Sequence, residues 1–180
     1  MMASTPWDRQ HPPGLSAYFI KDDARCAQRL TNYHVRHNYF SRRLRASKML
    51  TEYRLYDEFA AGLQFPYYFG ENGAAFDECI SDLGEQEVGN GVSITITDSD
   101  LILRDEPIKS FYCFVDSLRT AGEIWGEKID EKQFWDRDAK PFILTLFSEE
   151  DDFPTVKSQW GACGVDVIEA PTPPSSLYSQ

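Results

Sequence analysis

The stretch FPYYFGENGAAFDECISDL, Phe65–Leu83, decides how this chain is read. Pro66 pushes Phe65 toward extended backbone and so ends whatever helix precedes it. Tyr67, Tyr68 and Phe69 then fall in a loop, where three consecutive aromatics cannot all be buried. Gly70 permits a backbone turn that a side chain would block, and Asn72 is suited to N-cap a helix reaching Leu83. Within that helix Phe76, Cys79, Ile80 and Leu83 follow the i, i+3, i+4, i+7 spacing and form one apolar stripe. At about 100° per residue the opposite face holds Ala74, Glu78, Ser81 and Glu85, flanked by Asp77 and Asp82. An acidic outer face therefore adjoins an aromatic loop. Charged helix faces are the ordinary solvated surface, and the helix macrodipole alone favours acids near an N-terminus; the adjoining aromatics are what suggest a binding surface.

On either side of this segment, strand-like and helix-like runs alternate. Strands are expected at Leu15–Ile20, Asn38–Arg45, Val92–Thr97 (VSITIT), Phe142–Phe147 (FILTLF) and Val165–Ile168. Helices are expected at Asp23–Tyr33, at Thr51–Leu63 with Leu55, Tyr56, Phe59, Ala60 and Leu63 inward, at Pro107–Trp125, and near Phe153–Trp160. Such alternation implies an α/β fold, a mostly parallel sheet packed by helices. One domain over residues 14–170 is expected, with loose tails at 1–13 and 171–180, both rich in Pro and lacking periodicity. The polar stretch Gly126–Lys140 reads as a surface excursion tacked down by Ile129, Phe134 and Trp135.

The whole chain has 180 residues, 42% apolar and 14% aromatic, with a net charge of −11. The aromatic content excludes a disordered chain, and no apolar run approaches the roughly 20 residues of a membrane span. Met1–Gly14 lacks the apolar core of a signal peptide. Cys26, Cys79, Cys113 and Cys163 form no C-x-x-C pair, so a reduced, cytoplasmic protein with mostly buried thiols and no cofactor is expected. A charge of −11 opposes nucleic acid and attracts a basic protein partner.

Tyr68-Phe69-Gly70-Glu71-Asn72, followed by Phe76 and Glu78-Cys79, resembles the loop and second helix of the barstar family, intracellular inhibitors of the ribonuclease barnase. The runs Tyr56–Ala61, Leu63–Pro66 and Phe76–Cys79 are similar to bacterial members of that family, and the motif-bearing part covers roughly Leu44–Leu83. The resemblance implies a barstar-like fold with an extra N-terminal βα segment and a C-terminal extension. It also implies an immunity protein, not an enzyme, that occludes the active site of a cognate bacterial toxin, with a ribonuclease as the nearest expectation. Carboxylates would stand in for RNA phosphates. The partner-binding residues carried over are Tyr67, Tyr68, Phe69, Gly70, Glu71, Asn72, Ala74, Asp77, Glu78 and Asp82. Two acidic positions of the family depart: the first helix carboxylate is replaced by Ala74, and the second, an Asp, by the longer Glu78. Asp77 stands where the family exposes a Trp. These departures weigh against barnase itself and leave the basic pocket of another toxin open. A further acidic contact on a later helix would fall on Glu123 or Glu127.

Other signals give the alternatives. Asp98 and Asp100 end a strand where α/β sheets often place ligands, which would suit an enzyme pocket, although a turn and helix cap account for them as well. Arg36, Arg42, Arg43, Arg45 and Lys48, interleaved with Tyr39 and Phe40, would suit a nucleic-acid-associated regulator or a charge-guarded edge strand. His34 and His37 lack partners at metal-ligand spacing, and Glu149–Asp152 reads as a helix cap around Pro154.

Overall fold

Runs of β-branched and aromatic residues become strands here, and the amphipathic stretches between them become helices. In a computed structural model, which describes residues 5–84 and 86–178, the order is β1 (Gly14–Lys21), α1 (Ala24–Arg36), β2 (Phe40–Arg45), α2 (Glu52–Leu63), α3 (Gly73–Asp82), β3 (Val92–Thr97), α4 (Ile108–Gly126), β4 (Pro141–Ser148), α5 (Phe153–Gly161) and β5 (Val167–Glu169). The strands form one sheet in the order β2-β3-β4-β1-β5. Every pairing is parallel, so the sheet expected from sequence is present. No helix among the described residues is long and apolar enough to cross a membrane.

Period-two alternation divides the sheet into two faces. Phe19, Leu44, Ile94, Ile96, Leu144 and Leu146 point to one side, where α2, α3, α4 and α5 bury them in the larger core. Tyr18, Ile20, Ile143 and Phe147 point to the other, under the Cys26, Ala27, Leu30 and Tyr33 stripe of α1. The N-terminal βα segment is therefore no appendage. β1 runs between β4 and β5, in register with β4 from Gly14–Pro141 to Lys21–Ser148. Gly122 of α4 lets that helix approach β1: a Cβ there would lie 2.5 Å from that of Leu15.

Two expectations need correction. Residues 5–13 are not a loose tail, because the α1 side of the sheet needs a cover. Pro6 O accepts a hydrogen bond from His34 Nε2 at 2.6 Å, and Trp7 O accepts one from the Tyr33 hydroxyl at 3.0 Å. His11 is buried against Tyr18 and Tyr39. From the other terminus, Leu177 packs on the same cluster as Trp7, and Pro173 is buried. The thiols are less uniformly buried than expected: Cys26 and Cys79 are buried, Cys163 is half-buried and Cys113 is exposed.

His34 ties this layer together. Pro6 O can only accept, so Nε2 carries the proton, and Nδ1 accepts from Ser93 Oγ at 2.7 Å. Burial holds the ring neutral and lowers its pKa from 6.5 to about 4; burial also lowers that of His11. The unfolded chain therefore binds protons near pH 6.5 that the folded chain refuses, and stability falls as pH drops below that value. Between pH 7 and 5, His34 should cost about 2 kcal/mol of unfolding free energy. Urea midpoints at the two pH values measure this. His34→Gln, whose amide can both donate and accept, is expected to lose that share of the pH dependence.

Candidate functional site

Gln64, in left-handed backbone, closes α2, and a turn follows in which Phe69 N–H donates to Pro66 O at 2.9 Å. Phe69 bends back into the fold, its ring 5.1 Å from that of Phe65 and 6.2 Å from that of Tyr56. It is half-buried and supports the loop from beneath. Tyr67 and Tyr68 point away, 101% and 65% exposed, with their rings edge to face at 5.5 Å. The left-handed residue of this turn is Glu71, at φ 49°, not Gly70. Gly70 is needed for space, since a Cβ there would come within 2.9 Å of Asn72 Nδ2.

Asn72 performs the expected cap: Oδ1 accepts from Ala75 N–H at 3.1 Å, and Nδ2 donates to Gly70 O at 3.0 Å. One side chain thereby fixes both the loop and the first turn of α3. The apolar stripe is buried as read, with Phe76, Cys79, Ile80 and Leu83 all below a tenth exposed. Phe76 inserts among Tyr56, Phe59, Phe65 and Phe114. The opposite face is left outside: Ala74, Asp77, Glu78 and Asp82 are exposed, as are Gly70, Glu71 and Asn72. α3 stops at Asp82, because Leu83 takes left-handed backbone; Glu85 lies outside the described residues.

Among the described residues no direct ion pair includes Asp77, Glu78 or Asp82, although burial lowers the Arg137 guanidinium pKa and Asp82 is near enough to raise it in part. Their charge is felt nearby: the Cys79 thiol is pushed up in pKa by burial first, then by Glu78 and Asp82. The Tyr56 hydroxyl is pushed up by burial first, then by Glu52 and Asp77. Of the two further acids considered, Glu123 on α4 is paired with Arg119, and Glu127 caps the end of that helix. Glu123 and Glu127 both line a hollow beside Gly14 and Val165, whereas Glu78 and Asp82 line a different one.

The alternative sites have internal explanations. Asp98 sits in left-handed backbone ahead of a 3-10 turn, and Asp100 accepts from Ser148 Oγ at 3.5 Å, a turn arrangement at the end of β3. β2 is an edge strand whose cations are engaged internally. Arg42 lies over Phe40, Arg43 donates to Gln28, and Arg45 makes a two-pronged pair with Glu58. Both ring nitrogens of His34 are occupied inside the fold.

Sequence reasoning missed a neighbour of the ridge. Residues 128–137 form a hairpin closed by an Ile129–Arg137 bridge. Its aromatics do not tack it down: Phe134 is 94% exposed and Trp135 48%. The fastening comes from Arg137, stacked 4.3 Å over Trp125 and donating to the carbonyls of Ile124, Trp125 and Glu127.

No curated protein matches the chain at a significant level. The family model described as Barstar (barnase inhibitor) matches residues 39–146. The match takes in β2, α2, α3, β3, α4 and most of β4, including the whole loop and ridge described above. It spans more than half of the chain, and the chain belongs to the barstar family.

Proposed function

We propose that this chain inhibits a ribonuclease-type bacterial toxin in the cytoplasm by plugging its active site, and that it has no catalytic role of its own. One observation carries the reading: the exposed Tyr67–Tyr68 pair of the loop adjoins the carboxylates of Asp77, Glu78 and Asp82, which make no ion pair among the described residues and stand on the outside of a helix whose other side is locked in the core. A ribonuclease cleft is cationic because it binds phosphates, so fixed carboxylates at its mouth compete with RNA for the same groups. The tyrosines supply rigid apolar area at low entropic cost. Gly70, exposed and without a side chain, allows close approach of the partner's backbone. Ala74 offers no charge, so the cations of this partner are expected nearer the C-terminal half of α3 than its first turn.

The test is coexpression with barnase-class ribonuclease toxins, reading growth and in vitro inhibition. One-to-one inhibition of such an enzyme is expected. Glu78→Lys should weaken the complex by roughly thirtyfold or more by placing a like charge against a cationic cleft, with the thermal midpoint of the free protein unchanged. Unchanged protection by that variant would remove α3 from the interface. Phe76→Ala is the contrasting control and should cost about 3–5 kcal/mol of stability.

Association kinetics give an independent check. Steering by the ridge predicts an association rate that falls steeply as salt rises, with dissociation far less affected. A salt-independent association rate would rule out steering.

A further inference from the structure

Glu78 and Asp82 belong to two surfaces at once. Besides crowning the ridge, they form one wall of a groove of about 910 Å³. Its floor is Trp125, whose indole N–H donates to Ile80 O at 3.0 Å. The facing wall is the 128–137 hairpin. The two cations that line the groove are committed to backbone carbonyls: Arg137 as described, and Lys140 Nζ to Gly89 O at 2.6 Å. The formal charges of the lining balance, and Arg137, whose pKa burial lowers, is near enough to Asp82 for that carboxylate to raise it in part. The donors of both cations, however, are engaged by carbonyls, whereas among the described residues no ion pair holds Glu78 or Asp82, so the open polar capacity of the groove is that of an acceptor.

The rim is apolar and held in place. Trp135 Nε1–H donates to Glu131 at 3.1 Å, and the Phe134 ring lies 4.7 Å from the Trp135 ring, edge to face. Ile124 adds a third apolar side chain, 39% exposed. Adjacent large apolar groups left in water beside a pocket mark a docking surface, and aromatics next to carboxylates suit a side chain that is both cationic and apolar along its stem.

We propose that this groove is a second docking subsite for the same partner protein, receiving an extended segment in which a lysine or arginine lies beside an apolar side chain. The cation meets Glu78 and Asp82, and its apolar neighbour packs on Phe134 and Trp135. The inference rests on the functional reading above, in that those two carboxylates face the partner. A second copy of this chain fits poorly, since it carries a net charge of −11 and its β2 arginines are engaged in their own fold. Nucleic acid is opposed by the chain's net charge of −11.

The experiment has two arms on the full-length protein. In the first, isotope-labelled protein is titrated with a six-residue peptide alternating arginine and leucine, and with its glutamate–leucine counterpart. Saturable NMR shifts are expected for the Trp135 indole N–H and the Glu78 and Asp82 amides with the basic peptide only. The double variant Phe134→Ser, Trp135→Ser should abolish those at Glu78 and Asp82. No shift at these sites, or equal shifts with both peptides, overturns the proposal.

In the second arm, the double variant should dissociate from the inhibited ribonuclease at least about tenfold faster, with its thermal midpoint unchanged. If inhibition persists and dissociation keeps its wild-type rate, the groove inference falls and the functional reading stands. If no ribonuclease is inhibited, the functional reading falls and the peptide titration alone judges the groove. A concentration-dependent dimer that the double variant loses, seen by sedimentation, assigns the groove to self-association and overturns the proposal.

Discussion

The rotation of α3 about its axis is set by Phe76, and the exposed acidic face follows from it. The Phe76 ring lies 5.1 Å from Phe59, 5.6 Å from Tyr56, 6.0 Å from Phe65 and 6.2 Å from Phe114, an aromatic nest drawn from three other parts of the chain. Trp125 adds a pin by donating to Ile80 O. Turning the helix by one residue would draw Asp77 into that nest without a counter-ion. An unpaired buried carboxylate costs far more than a surface ion pair returns. Core packing and charge solvation therefore agree on one orientation, in which the acids point outward.

The chain outside the family match completes both faces of the sheet: α5 adds Val156 and Trp160 to the larger core, and the N-terminal part builds the opposite side. β1 extends the sheet beyond β4, α1 covers the face that α2–α5 leave open, and the terminal segments seal α1 through Pro6, Trp7 and Leu177. The pH dependence through His34 thus belongs to the layer across the sheet from α3.

Much of this was legible in the sequence, for physical reasons that differ by element. VSITIT reads as a strand because its β-branched residues suit a pleated surface, and the structure shows why it alternates: Val92, Ile94 and Ile96 enter the larger core, while Ser93 meets His34. The cap at Asn72 and the stripe from Phe76 to Leu83 were legible because caps and helical spacing are local. What escaped was non-local. Residues 5–13 are held largely through the backbone carbonyls of Pro6 and Trp7, which carry no residue signature. Phe69 differs from Tyr67 and Tyr68 only in which way the turn at Pro66 sends it. Arg137 fastens its hairpin to carbonyls up to 13 residues earlier, a partnership no spacing rule reports. Phe134 and Trp135, freed by that fastening, looked in sequence like anchors.

Ala74 connects these findings. Loss of a carboxylate from the first turn of α3 would weaken a barstar-type ridge if that ridge were the whole contact. In this chain Glu78 and Asp82 lie in the C-terminal half of the helix, where the hairpin raises an aromatic wall across the groove from them. Negative charge and exposed apolar surface are thus displaced together along the same helix. Desolvated charge strengthens only where apolar neighbours exclude water, and that condition is better met between Glu78 and Trp135 than at the bare first turn. On the proposed function, a partner matched to this chain presents its cations toward the C-terminal half of α3, where Glu78 and Asp82 face the hairpin aromatics.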